Sequence, residues 1–229
     1  MKCFVLAALC AAAALPAAAS TMTGESKVCP VCLADIFHNA QMSASVFDTG
    51  LDFRPLGAVV TPSPLPVCSE CGFVVHGSSA GPRALAAMRE ITASPRYKAL
   101  SARSSYYRLA FLYKKTGAHD QADIGQAYLK ASWQEENDPV KLKEDLGLAF
   151  FHLNTYMAGI AKGSPEWPVG QYLLAELLRR LSNFSEAKKI LRGLSGKQLP
   201  GALNEFVNFQ LTLCARKDPA PRSAGEMRK

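Results

Sequence analysis

The spacing of apolar and polar positions changes twice along this chain and divides it into parts. An apolar run from Phe4 to Leu15 follows one charge at Lys2 and leads into the small residues Ala17-Ala18-Ala19. A positive start, an apolar stretch just short of a membrane span and a small-residue cleavage site make a secretory signal peptide over 1–19, so the mature chain is expected outside the cytoplasm, in a periplasm. Residues 20–26 read as a linker. Over 27–80 no period persists: 43–47 and 73–75 look like short strands, 48–55 like turns, and Pro62, Pro64 and Pro66 hold an extended approach to Cys68. From Gly81 the apolar spacing becomes helical, with helices predicted near 83–93, 97–115, 121–135, 140–161, 169–181, 186–194 and 202–214. Asp120, Asp138 and Ser185 are the expected N-caps, and Pro95, Gly117, Pro165 and Pro168 the expected breaks. The fold class that follows is mainly α: a small β module over 27–80, then an antiparallel α-hairpin stack over 81–215. The tail 216–229, rich in charge, Pro and Ala, reads as disordered.

Within the helical part a weak repeat is visible. Tyr106, Leu109-Ala110, Tyr113, Gly117 and Ala122 are partly matched by Leu174-Ala175, Leu178, Phe184 and Ala187. Large apolar positions around a small residue, then a break, then another small residue, suit two packed antiparallel helices and resemble tetratricopeptide repeats. A generic helical bundle is the competing description. If the alignment holds, Tyr107, Phe111, Lys114 and Lys115 from one hairpin, with Tyr172, Glu176, Arg179 and Arg180 from another, line a groove for a protein or peptide partner, their paired cations clamping a carboxylate. The plainer account is a solvated basic face near helix C-termini.

Chemistry concentrates in Cys29-Pro-Val-Cys32 and Cys68-Ser-Glu-Cys71-Gly72. Pro30 and Gly72 favour the sharp turns that aim two sulfurs at one point, and two such turns supply the four ligands of a closed tetrahedral zinc site. A structural zinc contributes roughly 10–16 kcal/mol in small zinc-binding peptides, enough to fold a module with few large apolar residues. Two other outcomes use the same thiols in an exported protein: structural disulfides, or a redox pair at Cys29 and Cys32. His38 and His76 lie near enough in sequence to replace a cysteine ligand. Cys214, in an apolar run, is expected to be a buried hydrophobe.

Charge is uneven. The full chain carries a formal +7. Over 27–80, Lys27 and Arg54 face Asp35, Asp48, Asp52 and Glu70, a net −2, whereas over 81–115 Arg83, Arg89, Arg96, Lys98, Arg103, Arg108, Lys114 and Lys115 face only Glu90, a net +7. That basic hairpin suits an acidic partner or weak contact with an anionic membrane surface. Nucleic acid is disfavoured, since no aromatic-basic RNA motif accompanies the charge. No Gly-rich phosphate loop, His-Glu-x-x-His or Gly-x-Ser-x-Gly is present, and His119 and His152 read as structural, so no catalytic residue is assigned.

Taken together, Val28–Cys32, Asp48–Pro55, Val67–Phe73, Tyr128–Trp133 and Tyr172–Ala187 resemble an uncharacterised bacterial family, a domain of unknown function, that joins a zinc-ribbon-like two-Cys-x-x-Cys module to tetratricopeptide-like helices. The resemblance covers nearly all of the mature chain. It implies that architecture and structural zinc on Cys29, Cys32, Cys68 and Cys71, and it brings no catalytic residues.

Overall fold

The computed structural model describes residues 21–77, 81–195, 199 and 201–228; the expected leader lies outside them. The chain is mainly helical, with a small β region holding the cysteines ahead of the helices, as the apolar spacing predicts.

Two antiparallel ribbons come first. β1 (Thr21–Val28) pairs with β2 (Asp35–Ser43), and β3 (Ser45–Thr49) with β4 (Pro55–Ala58). The expected linker 20–26 is therefore largely strand, its backbone satisfied by β2. Only Ile36 of the first ribbon is buried, while Phe37 is 81% exposed, so the ribbon itself makes almost no core.

The helices are α1 (Pro82–Ala93), α2 (Pro95–Lys98), α3 (Ser105–Thr116), α4 (Gln121–Gln134), α5 (Pro139–Ala158), α6 (Glu166–Arg180), α7 (Phe184–Leu194) and α8 (Leu203–Ala215). From α3 onward each packs on the next. Asp120 and Asp138 cap α4 and α5 as expected, but α7 is capped by Asn183, whose side chain accepts from the Glu186 amide, and not by Ser185. The single helix expected over 97–115 is two. Ser94 caps the short α2, and Ser104 caps α3 by accepting from the Tyr107 amide, so two serine caps interrupt an otherwise helical apolar spacing. Helix α6 is buried from Tyr172 to Arg179, the mark of a helix at the centre of a stack. Close approach of α4 to α5 requires Gly125: a Cβ there would lie 2.6 Å from Leu153 Cγ.

Two segments read from sequence as turns and tail complete the core. The loop between β3 and β4 enters the stack with Leu51 fully buried, and the Tyr172 hydroxyl donates to its carbonyl at 2.9 Å. Asp52 follows, accepting from Trp133 Nε1 at 2.7 Å. The tail, expected to be disordered, lies across this loop. Leu51 N donates to Arg222 O at 2.9 Å, Gly225 N to Asp48 Oδ1 at 3.0 Å, and Ala224–Arg228 form a 3-10 turn. Polar composition misled here because the tail is held through backbone groups, which composition does not report.

Candidate metal centre

Each cysteine pair sits in the same backbone device. At the first, Leu33 N donates to Cys29 O at 2.9 Å and Cys29 N to Ala34 O at 2.8 Å; at the second, Gly72 N donates to Cys68 O and Cys68 N to Phe73 O, both at 2.9 Å. The residue after each pair is left-handed, Leu33 at φ 67° and Gly72 at φ 73°. Gly72 takes that conformation without strain; Leu33 takes it against its preference, which no turn signal in the sequence announced.

The two devices face one another and bring four sulfurs within 4.8 Å of each other. Cys29 Sγ lies 3.6 Å from Cys71 Sγ, and Cys32 Sγ 3.5 Å from Cys68 Sγ. Four thiolates about 2.3 Å from a central zinc stand about 3.8 Å apart along each tetrahedral edge, so the spacing and the donor set both fit a four-coordinate metal. The first cysteine of each pair is buried, Cys71 half-buried and Cys32 exposed.

Electrostatics around the sulfurs are divided. Burial pushes the Cys29 thiol up, and burial together with the neighbouring thiols pushes Cys71 well above the ordinary thiol range. Burial opposes ionisation of Cys68 as well, but the amides of Cys71 and Glu70 and the Cys32 thiol bring it down to about 7. Amides aimed at sulfur suit thiolates, yet four thiolates this close repel one another unless a cation sits among them. A redox pair led by Cys29 would need an open, acidic thiol at that position, and Cys29 is neither.

Beyond the sulfurs, the helices grip both turns. Arg89 of α1 donates twice to Val31 O, at 2.8 and 3.1 Å. Tyr97 of α2 donates to Gly72 O at 2.9 Å, and Arg108 of α3 donates to the same carbonyl. Sequence reasoning assigned Arg89 and Arg108 to a basic surface; their acceptors are carbonyls of the cysteine turns, which no sequence signal marks. Arg103, from the same basic stretch, is taken up by the fold as well, pairing with Glu135, Glu144 and Asp145. His38 and His76 do not join the sulfurs: His38 lies beside Glu25, and His76 Nδ1 sits 2.9 Å from Val74 O.

The residues predicted to line one groove are not brought together. Tyr107 is buried under Arg103 and donates to Glu144 at 2.8 Å, and Phe111 packs on Tyr97. Lys114 and Lys115 are exposed at the end of α3. Tyr172 and Arg179 are fully buried. Arg179 pairs with Glu176 and donates to Asp218 O and Ala220 O at 2.6 and 3.0 Å, while Arg180 lies 3.7 Å from Asp52. The α6 set thus holds the chain's own loop and tail, because the central helix of the stack has neighbours on every side. His119 stacks on Tyr113 and His152 on Tyr128. No helix among the described residues is long and apolar enough to cross a membrane. No family model, curated protein or solved structure matches this chain.

Proposed function

We propose that the chain is an exported, non-catalytic interaction protein in which a structural zinc ion on Cys29, Cys32, Cys68 and Cys71 fastens the cysteine module to a helical stack that receives a protein or peptide partner. The observation that carries this is the convergence of the four sulfurs at tetrahedral spacing. Four thiolates leave no open coordination position, which favours a structural ion over a catalytic one. The thin core of the ribbons supports the same role, since the module's buried apolar residues cluster at the cysteine turns and against α2 and α3. Likeness to the family that couples two Cys-x-x-Cys pairs to tetratricopeptide-like helices belongs to this proposal.

With Tyr172 and Arg179 bonded internally and Arg180 turned inward beside Asp52, the partner face proposed is the exposed basic remainder of the first hairpin: Lys114 and Lys115, with Arg83, Arg96 and Lys98. An acidic peptide or protein suits it, and weak contact with anionic membrane would be the salt-sensitive alternative.

Native mass spectrometry of the protein from an exported fraction, followed by thiol counting in denaturant with and without chelator, tests the metal. One zinc, five reactive thiols after chelation and collapse of the module in Cys29→Ser are expected. A metal-free protein with one free thiol would mean two disulfides and end the zinc proposal.

A further inference from the structure

The stretches Asp48–Pro55, Tyr128–Trp133 and Tyr172–Ala187, which the metal does not use, meet at one place. There the buried loop, the end of α4, α6 and the tail enclose a cavity of about 210 Å³ lined by Asp52, Arg54, Trp133, Glu136, Arg180 and Arg222, among others. Its three arginines and three carboxylates balance in number but not in hydrogen bonding. Arg54 is taken by Glu136, and Arg222 by Asp218 at 2.7 Å and Glu226 at 3.0 Å.

Arg180 is different. Its side chain is only 7% exposed, and its charged partner, Asp52 Oδ2, stands 3.7 Å away, outside hydrogen-bond reach. That oxygen already accepts the Trp133 indole N–H. Among the described residues the Arg180 guanidinium makes no hydrogen bond. A guanidinium carries five N–H donors in a planar fork. The fork matches the two oxygens of a carboxylate or phosphate, whereas a peptide carbonyl offers one.

We propose that this cavity is a binding site for a small oxyanion, a phosphate or short carboxylate, read by Arg180 with the Trp133 indole as its wall. Size sets the class: about 210 Å³ lies below the usual range for drug-sized ligands and admits an anionic group with few further atoms. Glu136 and Glu226 are paired with Arg54 and Arg222, and Asp52, the ion-pair partner of Arg180, stands too far away to fill its N–H donors, so an entering oxyanion meets unfilled donors of Arg180 in competition with the Asp52 charge. This site lies apart from the basic hairpin and does not depend on the partner proposed above.

The experiment uses the zinc-loaded mature protein at constant ionic strength, titrated separately with inorganic phosphate, acetate and succinate. Melting temperature and the arginine side-chain signals in a ¹⁵N-labelled sample are the readouts. Saturable stabilisation by phosphate or by a carboxylate is expected, and which anion gives it identifies the source. Arg180→Gln should weaken that binding at least about tenfold. The exposed α7 variant Arg192→Gln should leave it unchanged. Should Arg180→Gln fail to fold, Arg180→Lys keeps the charge beside Asp52 but loses the fork, and with zinc content unaltered it too must bind more weakly. Absence of saturable binding up to about 20 mM of every anion, or equal binding by the parent and an Arg180 variant, overturns the proposal.

Discussion

Substituting Asp145 by Asn should stabilise this protein above neutral pH, although it removes one arm of an ion pair. Asp145 is fully buried on α5, and Glu135 and Glu144 share its single cation, Arg103, which reaches Asp145 Oδ1 at 2.5 Å. Asp145 Oδ2 has no hydrogen-bond partner. Burial and the neighbouring Glu135 carboxylate raise the Asp145 carboxyl to about 8, against the pull of Arg103. The sign follows from proton counting. Between the unfolded carboxyl value near 4 and about 8, the folded protein holds a proton that the unfolded chain has lost, so stability falls as pH rises through that window. One proton corresponds to roughly 1.4 kcal/mol per pH unit, a ceiling of about 4 kcal/mol from pH 5 to 8; titration shared with Glu135 lowers the expected loss to about 2 kcal/mol. Asn keeps an oxygen for Arg103 and carries no charge to desolvate. Urea unfolding of parent and Asp145→Asn at pH 5, 6, 7 and 8 should give curves that diverge with pH, the variant being the flatter and, at pH 8, the more stable. Arg103→Met is the counterpart and should cost about 3 kcal/mol or more at pH 7, because it strands Glu135 in the interior. Equal pH slopes for parent and Asp145→Asn would refute the reasoning.

Other expectations follow from contacts in the core. Trp133→Phe keeps the ring but deletes the hydrogen bond to Asp52, and should lower stability by about 2 kcal/mol in chemical denaturation, with zinc content unchanged. Gly125→Ala should destabilise by about 1–3 kcal/mol despite the better helix propensity of alanine, since its methyl would meet the side chain and backbone of Leu153; a rise in melting temperature would contradict this. Removing residues 217–229 strips two carbonyl acceptors from buried Arg179 and the Arg222 carbonyl from the Leu51 amide, so hydrogen exchange at Leu51 should accelerate at least about tenfold. Chelation should unfold the cysteine module before the helices from α4 onward melt, visible as loss of ribbon amide dispersion while helical circular dichroism largely persists.

What the sequence determined by itself was set by local forces. Helical apolar spacing from Gly81, the caps Asp120 and Asp138, and two tight cysteine turns each depend on residues a few positions apart, and each is where spacing placed it. Even the split of 97–115 had a local signal in Ser104, overridden in the sequence reading by the apolar period around it. Tertiary structure decided what the charges do. Arg89 and Arg108 look the same in sequence as Lys114 and Lys115, yet the first two hold carbonyls of the cysteine turns and the last two face solvent. Asp52 and Arg180 are 128 positions apart, and the tail that covers Leu51 arrives from the far end of the chain. Such pairings are invisible to spacing because a buried charge or carbonyl takes whatever partner the packed helices bring to it. The acceptors that recruited Arg89 and Arg108, and two of those that hold Arg179 beside its Glu176 partner, are backbone oxygens, which every residue carries and no sequence distinguishes.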